Sequence, residues 1–253
     1  MKKTSFHTSP SKNLASEIGS SPVGECPYVI FLGAGASVMS GIPSVNSLVN
    51  TWKEQIFCSI NDYDLPMDKS LRPEYQKWEK ADDGYSEWFK NISDEIGSET
   101  PYGTLFQYVR KSKESRQSFL ESIIDKTYPS LGYVYLAQLL NHRYFDCVLT
   151  TNFDDLISDA MFMYFFEKPL VCQFESTIHN FNNSSIRPKV VKLHGDFLYN
   201  DMRNTDSELS NLGPNMEDKM IELCQDKGIV VVGYSGRDDS IMNPLFEKMR
   251  TNR

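Results

Sequence analysis

The chain has 253 residues, of which 40% are apolar and 24% charged, so a hydrophobic core is possible and disorder of the whole chain is excluded. Acidic residues number 34 and basic residues 26, and the resulting net charge of −8 argues against sequence-independent binding to nucleic acid. No apolar run approaches the roughly 20 residues of a membrane helix, and the N-terminus lacks the apolar segment of a secretory signal. We therefore expect a cytoplasmic protein with no membrane partner.

The cysteines and histidines are too scattered to predict a metal site. Five cysteines stand at positions 26, 58, 147, 172 and 224, and none forms a CxxC pair. Cys147 lies in an apolar run and is interpreted as a small buried hydrophobe rather than a catalytic thiol. This usage is typical of a reduced intracellular protein, and we expect no bound metal.

The first 26 residues are rich in Ser, Pro and Lys, which predicts a flexible tail followed by one folded domain at residues 27–253. From Tyr28 the run YVIFL is apolar on both faces, as expected of a buried parallel strand. That run ends in the glycine-rich segment GAGAS, and a turn at residues 41–44 precedes a predicted helix.

Residues from about 53 to 140 contain little strand pattern and many charged and aromatic residues. They predict a helical insertion between the first two core strands, with loops at residues 61–72 and 97–103. The aromatic side chains of this insertion are interpreted as core residues rather than as a surface on which a cofactor stacks.

Three later apolar runs predict strands, at residues 144–150, 188–193 and 228–232, and each ends in small or polar residues. Helices are predicted between some of them, at residues 155–166 and 216–226. Strand alternating with helix indicates an α/β fold with a mostly parallel, Rossmann-like sheet. Ligands bind at the carboxyl ends of such strands, so four polar clusters are expected to converge on one crevice.

The glycine-rich segment from Gly33 to Ser37 has the composition of a phosphate-binding loop. Glycines let backbone N–H groups approach a phosphate, and a helix that follows presents its positive N-terminus. The G-x-G-x-x-G pattern of dinucleotide-binding dehydrogenases is incomplete, because Val38 stands at its sixth position. A standard NAD dehydrogenase is therefore disfavoured, and a tight strand-to-helix turn without a ligand is the alternative.

Polar side chains follow the next two predicted strands. Asn152 and Asp154 share a face in extended backbone, where an amide suits hydroxyl groups or a water and a carboxylate accepts from N–H groups. His194 can act as a general base near neutral pH. Helix capping by Asn152 and Asp154, and a structural role for His194, are the alternatives. Asp238 and Asp239 are interpreted only as a helix start.

In this order, GAGAS with GIPS, then TTNFD, LHGD and VVGYSGRDDS, resemble the motifs of the sirtuin-like fold. More closely they resemble the sirtuin-like NAD-hydrolysing modules of bacterial antiphage defence proteins, over residues from about 28 to 243. The resemblance implies Asn152 and His194 as the catalytic residues and Asp154 as the residue that holds the nicotinamide carboxamide. It further implies that the NAD pyrophosphate and adenosine ribose are held by Gly33, Ala34, Gly35, Ser37, Gly233 and Ser235.

The sequence departs from protein-deacylating sirtuins at several points. Ser44, Val45 and Asn46 stand where their GIPDFR motif has Asp, Phe and Arg, and no four-cysteine zinc module follows His194. The resemblance therefore implies an NAD glycohydrolase, with NAD as its substrate, that depletes cellular NAD during phage infection. A non-catalytic NAD or ADP-ribose sensor is the alternative, and an NAD-dependent protein deacylase is a weaker one.

An unrestrained NAD hydrolase would deplete its own cell, so its activity is expected to be restrained until a signal arrives. The last predicted strand would leave an exposed sheet edge, which proteins normally cover or pair. We expect that the chain is the N-terminal effector module of a longer defence protein, or that it assembles with other subunits, with a homo-oligomer as the usual solution.

Overall fold

A computed structural model describes residues 11–22, 24–98, 100–176, 178, 181, 184–195, 212–236 and 238–245. Its centre is a sheet of five parallel strands. The strands are β1 (Tyr28–Leu32), β2 (Cys147–Thr150), β3 (Leu170–Cys172), β4 (Lys189–Lys192) and β5 (Gly228–Val232). Their spatial order is β3-β4-β2-β1-β5, which confirms the α/β, Rossmann-like fold class.

Strand β1 lies between β2 and β5, and this position determines where a ligand can bind. Ile30 of β1 is opposite Val148 of β2 on one side and opposite Val230 of β5 on the other. The chain therefore winds outward from β1 in one direction first and reaches the opposite side only with β5. Such a change of direction opens a crevice at the carboxyl ends of the two strands concerned.

Helices cover both faces of the sheet, as a parallel sheet requires. Helices α7 (Leu131–Asn141) and α8 (Leu156–Phe165) pack on the face that carries Ile30 and Leu32. Helix α9 (Pro214–Cys224) packs on the opposite face, where alternate residues of β1 are buried with it. Strands β1 and β2 are therefore buried on both sides, which is why they appear in the sequence as mostly apolar runs.

The chain between β1 and β2 is helical and has a core of its own. Besides α7 it contains the helices α2 (Val45–Ile60), α3 (Arg72–Lys80), α4 (Glu87–Ile96), α5 (Pro101–Val109) and α6 (Lys113–Ile124). Trp52 stacks on Phe106 with ring centroids 5.0 Å apart, at the centre of an aromatic cluster. Most aromatic residues of the insertion pack in or against this cluster, as predicted, whereas Tyr128 and Tyr135 are exposed. None of the described helices is long and apolar enough to cross a membrane.

Three local predictions need correction. The predicted flexible tail contains a helix, α1 (Ser11–Ser20), whose Ile18 packs against the core beside α7; residues 1–10 lie outside the described part. The loop predicted at residues 97–103 ends early, because Thr100 caps α5 through the N–H of Gly103. Strand β3 was not predicted, since its three residues are too short to show a pattern.

All five cysteines are buried. Cys147 lies inside β2 and is fully buried, and burial raises the pKa of its thiol. A neutral buried thiol is a poor nucleophile, so Cys147 is a core residue, as predicted. Within the described ranges no three His, Cys, Asp or Glu side chains come together as a metal site would require.

Candidate functional site

The carboxyl ends of β1, β2, β4 and β5 meet at one edge of the sheet, as predicted from the polar residues that follow each strand. Direct contacts join the segments that follow these strands. Gly35 after β1 bonds Gly233 after β5, and Ser37 bonds Asn152 after β2. His194 after β4 contacts Asp238 beyond β5. The polar clusters therefore belong to one site.

The glycines of the GAGAS segment are required because two backbones touch there. The N–H of Gly33 donates to the carbonyl of Val232 at 3.0 Å, and the N–H of Gly35 donates to Gly233 at 2.9 Å. A Cβ on Gly33 would lie 2.5 Å from the Cα of Tyr234, and a Cβ on Gly35 would lie 2.8 Å from the Gly233 carbonyl oxygen. These two N–H groups are therefore bonded within the protein, and glycine is required by the close approach of the loops.

A short 3-10 helix (Ala34–Ser40) follows Gly33 directly, and α2 begins only after Ser44 caps it. The helix predicted to follow the glycine-rich segment directly is therefore this short helix. Helix α2 starts further along the chain. Ala34, Gly35, Gly233 and Ser235 are exposed and form the open rim of the site. Gly233 has φ +69, a conformation that favours glycine.

Beneath this rim lies a buried polar network that joins Ser37, Tyr133, Asn152 and Asp154. The hydroxyl of Ser37 donates to Asp154 Oδ2 at 2.7 Å, and Asn152 Nδ2 donates to Ser37 Oγ at 3.0 Å. The Tyr133 hydroxyl lies 2.8 Å from Ser37 Oγ. Because the single Ser37 proton is directed to Asp154, Tyr133 donates in this pair. The Ser37 side chain, predicted to contact the pyrophosphate, is thus directed into the protein.

Asp154 is the buried acid of this network. Its Oδ1 accepts from the N–H of Leu156, the first residue of α8, at 3.2 Å, and its Oδ2 accepts from Ser37. Burial raises the pKa of the Asp154 carboxyl, while the Ser37 bond and the charge of Lys192 oppose that rise. The N-cap position of α8 is Asp155, so the capping alternative does not describe Asp154, although one of its oxygens bonds the first N–H of the helix.

The side-chain oxygen of Asn152 is one of three buried polar atoms of the site that have no hydrogen-bond partner among the described residues, together with His194 Nε2 and the Tyr234 hydroxyl. The Asn152 amide nitrogen donates to Ser37 at 3.0 Å and contacts the Tyr133 hydroxyl at 3.4 Å, which fixes the plane of the amide. Its Oδ1 is buried and has no hydrogen-bond partner among the described residues. Buried acceptors without partners are rare in folded proteins. The amide nitrogen of Asn152 is therefore fixed by the protein, and its Oδ1 is left as an acceptor for a ligand or a water.

His194 follows β4 and is buried. Its Nε2 lies 2.8 Å from Asp238 Oδ2, a distance typical of an ion pair. The same Nε2 makes no aligned hydrogen bond within the described residues, so the carboxylate lies beside the N–H direction rather than along it. Asp238, interpreted from the sequence only as a helix start, is thus brought against the predicted catalytic histidine.

Lys192, at the end of β4, anchors the segment that carries Asn152. Its fully buried Nζ donates to the Phe153 carbonyl at 2.9 Å and pairs with Asp155 Oδ1 at 2.8 Å. Lys192 was not among the predicted site residues, although a lysine at the end of a buried strand signals a paired charge. Tyr133 was also missed, and no pattern distinguishes it from a core tyrosine of an apolar helix.

A comparison with protein families found a match over the second part of the chain. Residues 146–253 match the family model described as a SIR2-like domain, and the SIR2-like family uses NAD. The matched segment begins just before β2 and includes Asn152, Asp154, His194 and Gly233. A comparison with curated proteins found no match. Residues 146–253 are therefore similar to a SIR2-like domain.

Proposed function

We propose that the protein is an NAD glycohydrolase, which cleaves NAD to nicotinamide and ADP-ribose. The observation that carries the proposal is the buried Oδ1 of Asn152, an acceptor without a partner at the carboxyl ends of the strands, in the segment similar to a SIR2-like domain. A site that only stabilised the fold would gain nothing from an amide held on one side and unsatisfied on the other.

Cleavage of the nicotinamide–ribose bond passes through an oxocarbenium-like species, and rate acceleration requires groups that favour this species over bound NAD. Asn152 Oδ1 would accept a hydrogen bond from a ribose hydroxyl or from the attacking water. Its orientation is already set by Ser37 and Tyr133, so no reorganisation is needed during the reaction. His194 would take the proton from the water or from a ribose hydroxyl.

The remaining site residues would bind NAD. The exposed rim formed by Ala34, Gly35, Gly233 and Ser235 would receive the pyrophosphate and the adenosine ribose. An ionised carboxylate has about four acceptor positions, so Asp154 would still accept from the nicotinamide carboxamide while it bonds Ser37 and Leu156. Gly33 and the Ser37 side chain would act indirectly, by holding the rim and Asn152 in place.

The test is to incubate the purified protein with NAD and to measure nicotinamide and ADP-ribose by chromatography. Asn152→Ala and His194→Ala are expected to lower turnover by about 10²- to 10⁴-fold while NAD still binds in calorimetry. His142→Ala, which changes an exposed histidine, is the matched control. NAD binding without nicotinamide release under any condition would contradict the proposal and favour the sensor. Release only in the presence of an acylated peptide would favour the deacylase.

The biological role proposed with this activity is depletion of cytoplasmic NAD during phage infection. It is supported only by the resemblance of the motifs to those of defence proteins. Bacteria that express the parent chain are expected to lose NAD after infection, whereas cells that express His194→Ala keep it. An equal NAD content in both cultures throughout infection would contradict this role.

Self-association is proposed as the means of restraint, and the edge of the sheet supports it. Within the described residues β5 pairs only with β1, and Val231 and Val232 are exposed on β5. Exposed apolar edge strands are normally covered by another chain or segment. Light scattering and NAD turnover measured across a dilution series test this. A monomer with constant specific activity at every concentration would contradict it.

A further inference from the structure

We propose that Asp238 is the positioning residue of the general base, and that it fixes the His194 ring and stabilises the imidazolium formed when His194 takes a proton. The inference rests on the proposed function, because it assigns a role within the same site.

The two oxygens of Asp238 have different partners. Oδ1 accepts from the N–H of Ser240 at 3.0 Å and from its hydroxyl at 2.7 Å, which caps helix α10 (Asp239–Asn243). Oδ2 lies 2.8 Å from His194 Nε2. Because the cap holds one oxygen, the position of the carboxylate is fixed, and its other oxygen lies beside the imidazole before any substrate arrives.

This pair determines which nitrogen of His194 can act. With an ionised carboxylate beside Nε2, the proton of the neutral ring is favoured on Nε2, and Nδ1 becomes the acceptor for the proton of water or a ribose hydroxyl. The positive ring that results lies 2.8 Å from a carboxylate in a largely buried setting, where opposite charges favour one another strongly. The arrangement is that of a histidine oriented by a third group.

The state of Asp238 agrees with this role. Burial opposes its ionisation, yet the contacts with His194 and Ser240 hold the pKa of its carboxyl below the ordinary value. Tyr234 is the other titratable side chain that senses this charge: burial first, and then Asp238, raise its pKa, so the phenol stays neutral. Asp239 is next in the chain and is exposed. Among these neighbours, Asp238 supplies the negative charge at the histidine.

Asp238→Asn separates the two functions of the residue. Asparagine caps a helix about as well as aspartate, so α10 is kept while the charge beside His194 is lost. Ser240→Ala does the opposite, because it weakens the cap and leaves the carboxylate. Asp239→Asn makes the same change of charge at an exposed neighbour. Melting temperatures of all three variants report whether each protein is folded.

The first readout is which ring nitrogen of His194 carries the proton, measured from the nitrogen-15 chemical shifts of labelled histidine by NMR, which requires no NAD. The signal is assigned among the four histidines by comparison with His194→Gln. Asp238→Asn is expected to reduce the share of the neutral ring that carries its proton on Nε2, because the carboxylate that favours this tautomer is removed. Ser240→Ala and Asp239→Asn are expected to change it far less.

The second readout is nicotinamide release. Asp238→Asn is expected to lower kcat by about 10²-fold, toward the whole contribution of a general base, with little change in KM. An unchanged proton position on His194 in folded Asp238→Asn would overturn the inference. So would a loss of activity that Ser240→Ala reproduces equally. If the parent protein releases no nicotinamide but the proton position changes as expected, the proposed function fails and the positioning pair stands.

Discussion

The backbone N–H of Gly35 donates a 2.9 Å hydrogen bond to the carbonyl of Gly233, although 198 positions (233 − 35) separate them in the chain. The bond joins the segment after β1 to the segment after β5, on the two sides of the point where the winding of the sheet changes direction. It joins the two loops that form the rim of the proposed NAD site. The geometry of the rim therefore depends on glycine at both positions.

Gly35→Ala should destabilise the protein, because the new Cβ would lie 2.8 Å from the Gly233 oxygen and one loop would have to move. We expect the free energy of unfolding to fall by about 1–3 kcal/mol, as in overpacked sites, and NAD affinity to fall with it. Urea unfolding and calorimetry measure the two effects. Gly132→Ala is the control, since its Cβ meets only Ser130 Oγ at 3.8 Å. Equal stability of the Gly35 variant and the parent would contradict the close-approach interpretation.

Tyr133→Phe should release the amide of Asn152. Removal of the hydroxyl takes away the donor to Ser37 and a contact of Asn152 Nδ2, which we expect to cost about 1 kcal/mol of stability. A less firmly held amide should lower kcat about tenfold, equivalent to about 1.4 kcal/mol. Tyr135→Phe, an exposed position on the same helix, is the control for both measurements. Parent-like turnover in the Tyr133 variant would show that the network does not orient Asn152.

Lys192→Met should remove the anchor of the segment that follows β2. It leaves the Phe153 carbonyl and the Asp155 carboxylate without the buried ammonium, and loss of one partner of a buried pair costs about 3–5 kcal/mol. Lys227→Met breaks a more exposed pair with Asp146 and should cost about 1 kcal/mol or less. Denaturant unfolding compares them. A similar small loss in both variants would mean that Lys192 does not anchor this segment.

Asp154→Asn should change how stability depends on pH. Because burial raises the pKa of Asp154, the folded state holds this proton at a pH where the unfolded state has released it. The contribution of Asp154 to the stability of the folded state is therefore fully present below the pKa of an ordinary carboxyl group. It is lost as pH rises through the raised pKa of the folded state. The variant should lack this decline, whereas Asp94→Asn, an exposed control, should keep it. Thermal unfolding between about pH 3 and 8 tests the sign.

Asp238 should have the opposite effect on the pH dependence of stability. Its folded pKa is lowered, so its contribution is present above the unfolded pKa and is lost as pH falls through the folded value. Asp238→Asn should therefore lose stability relative to the parent at neutral pH and approach it in acid. A difference between the two proteins that stays constant from neutral to acid pH would contradict this assignment.

The sequence alone determined four of the five described strands and the chemistry of their ends. β1 and β2 are buried on both faces and β4 carries two buried valines between its lysines, so each contains an apolar run, and the polar residues that follow these runs were therefore visible. Parallel pairing then requires that all such ends lie at one edge, which is why Asn152, His194 and Gly233 could be placed in one site without coordinates.

Only the tertiary structure decided which side chains meet there. Tyr133 lies on a helix of the insertion, Lys192 inside a strand and Asp238 beyond β5, and each acts on a residue from another segment. Hydrogen bonds and ion pairs form over about 3 Å and depend on direction, so no periodicity in the chain records them. The direction of Ser37 into the protein, the unsatisfied oxygen of Asn152 and the carboxylate beside His194 follow from how the helices and strands pack.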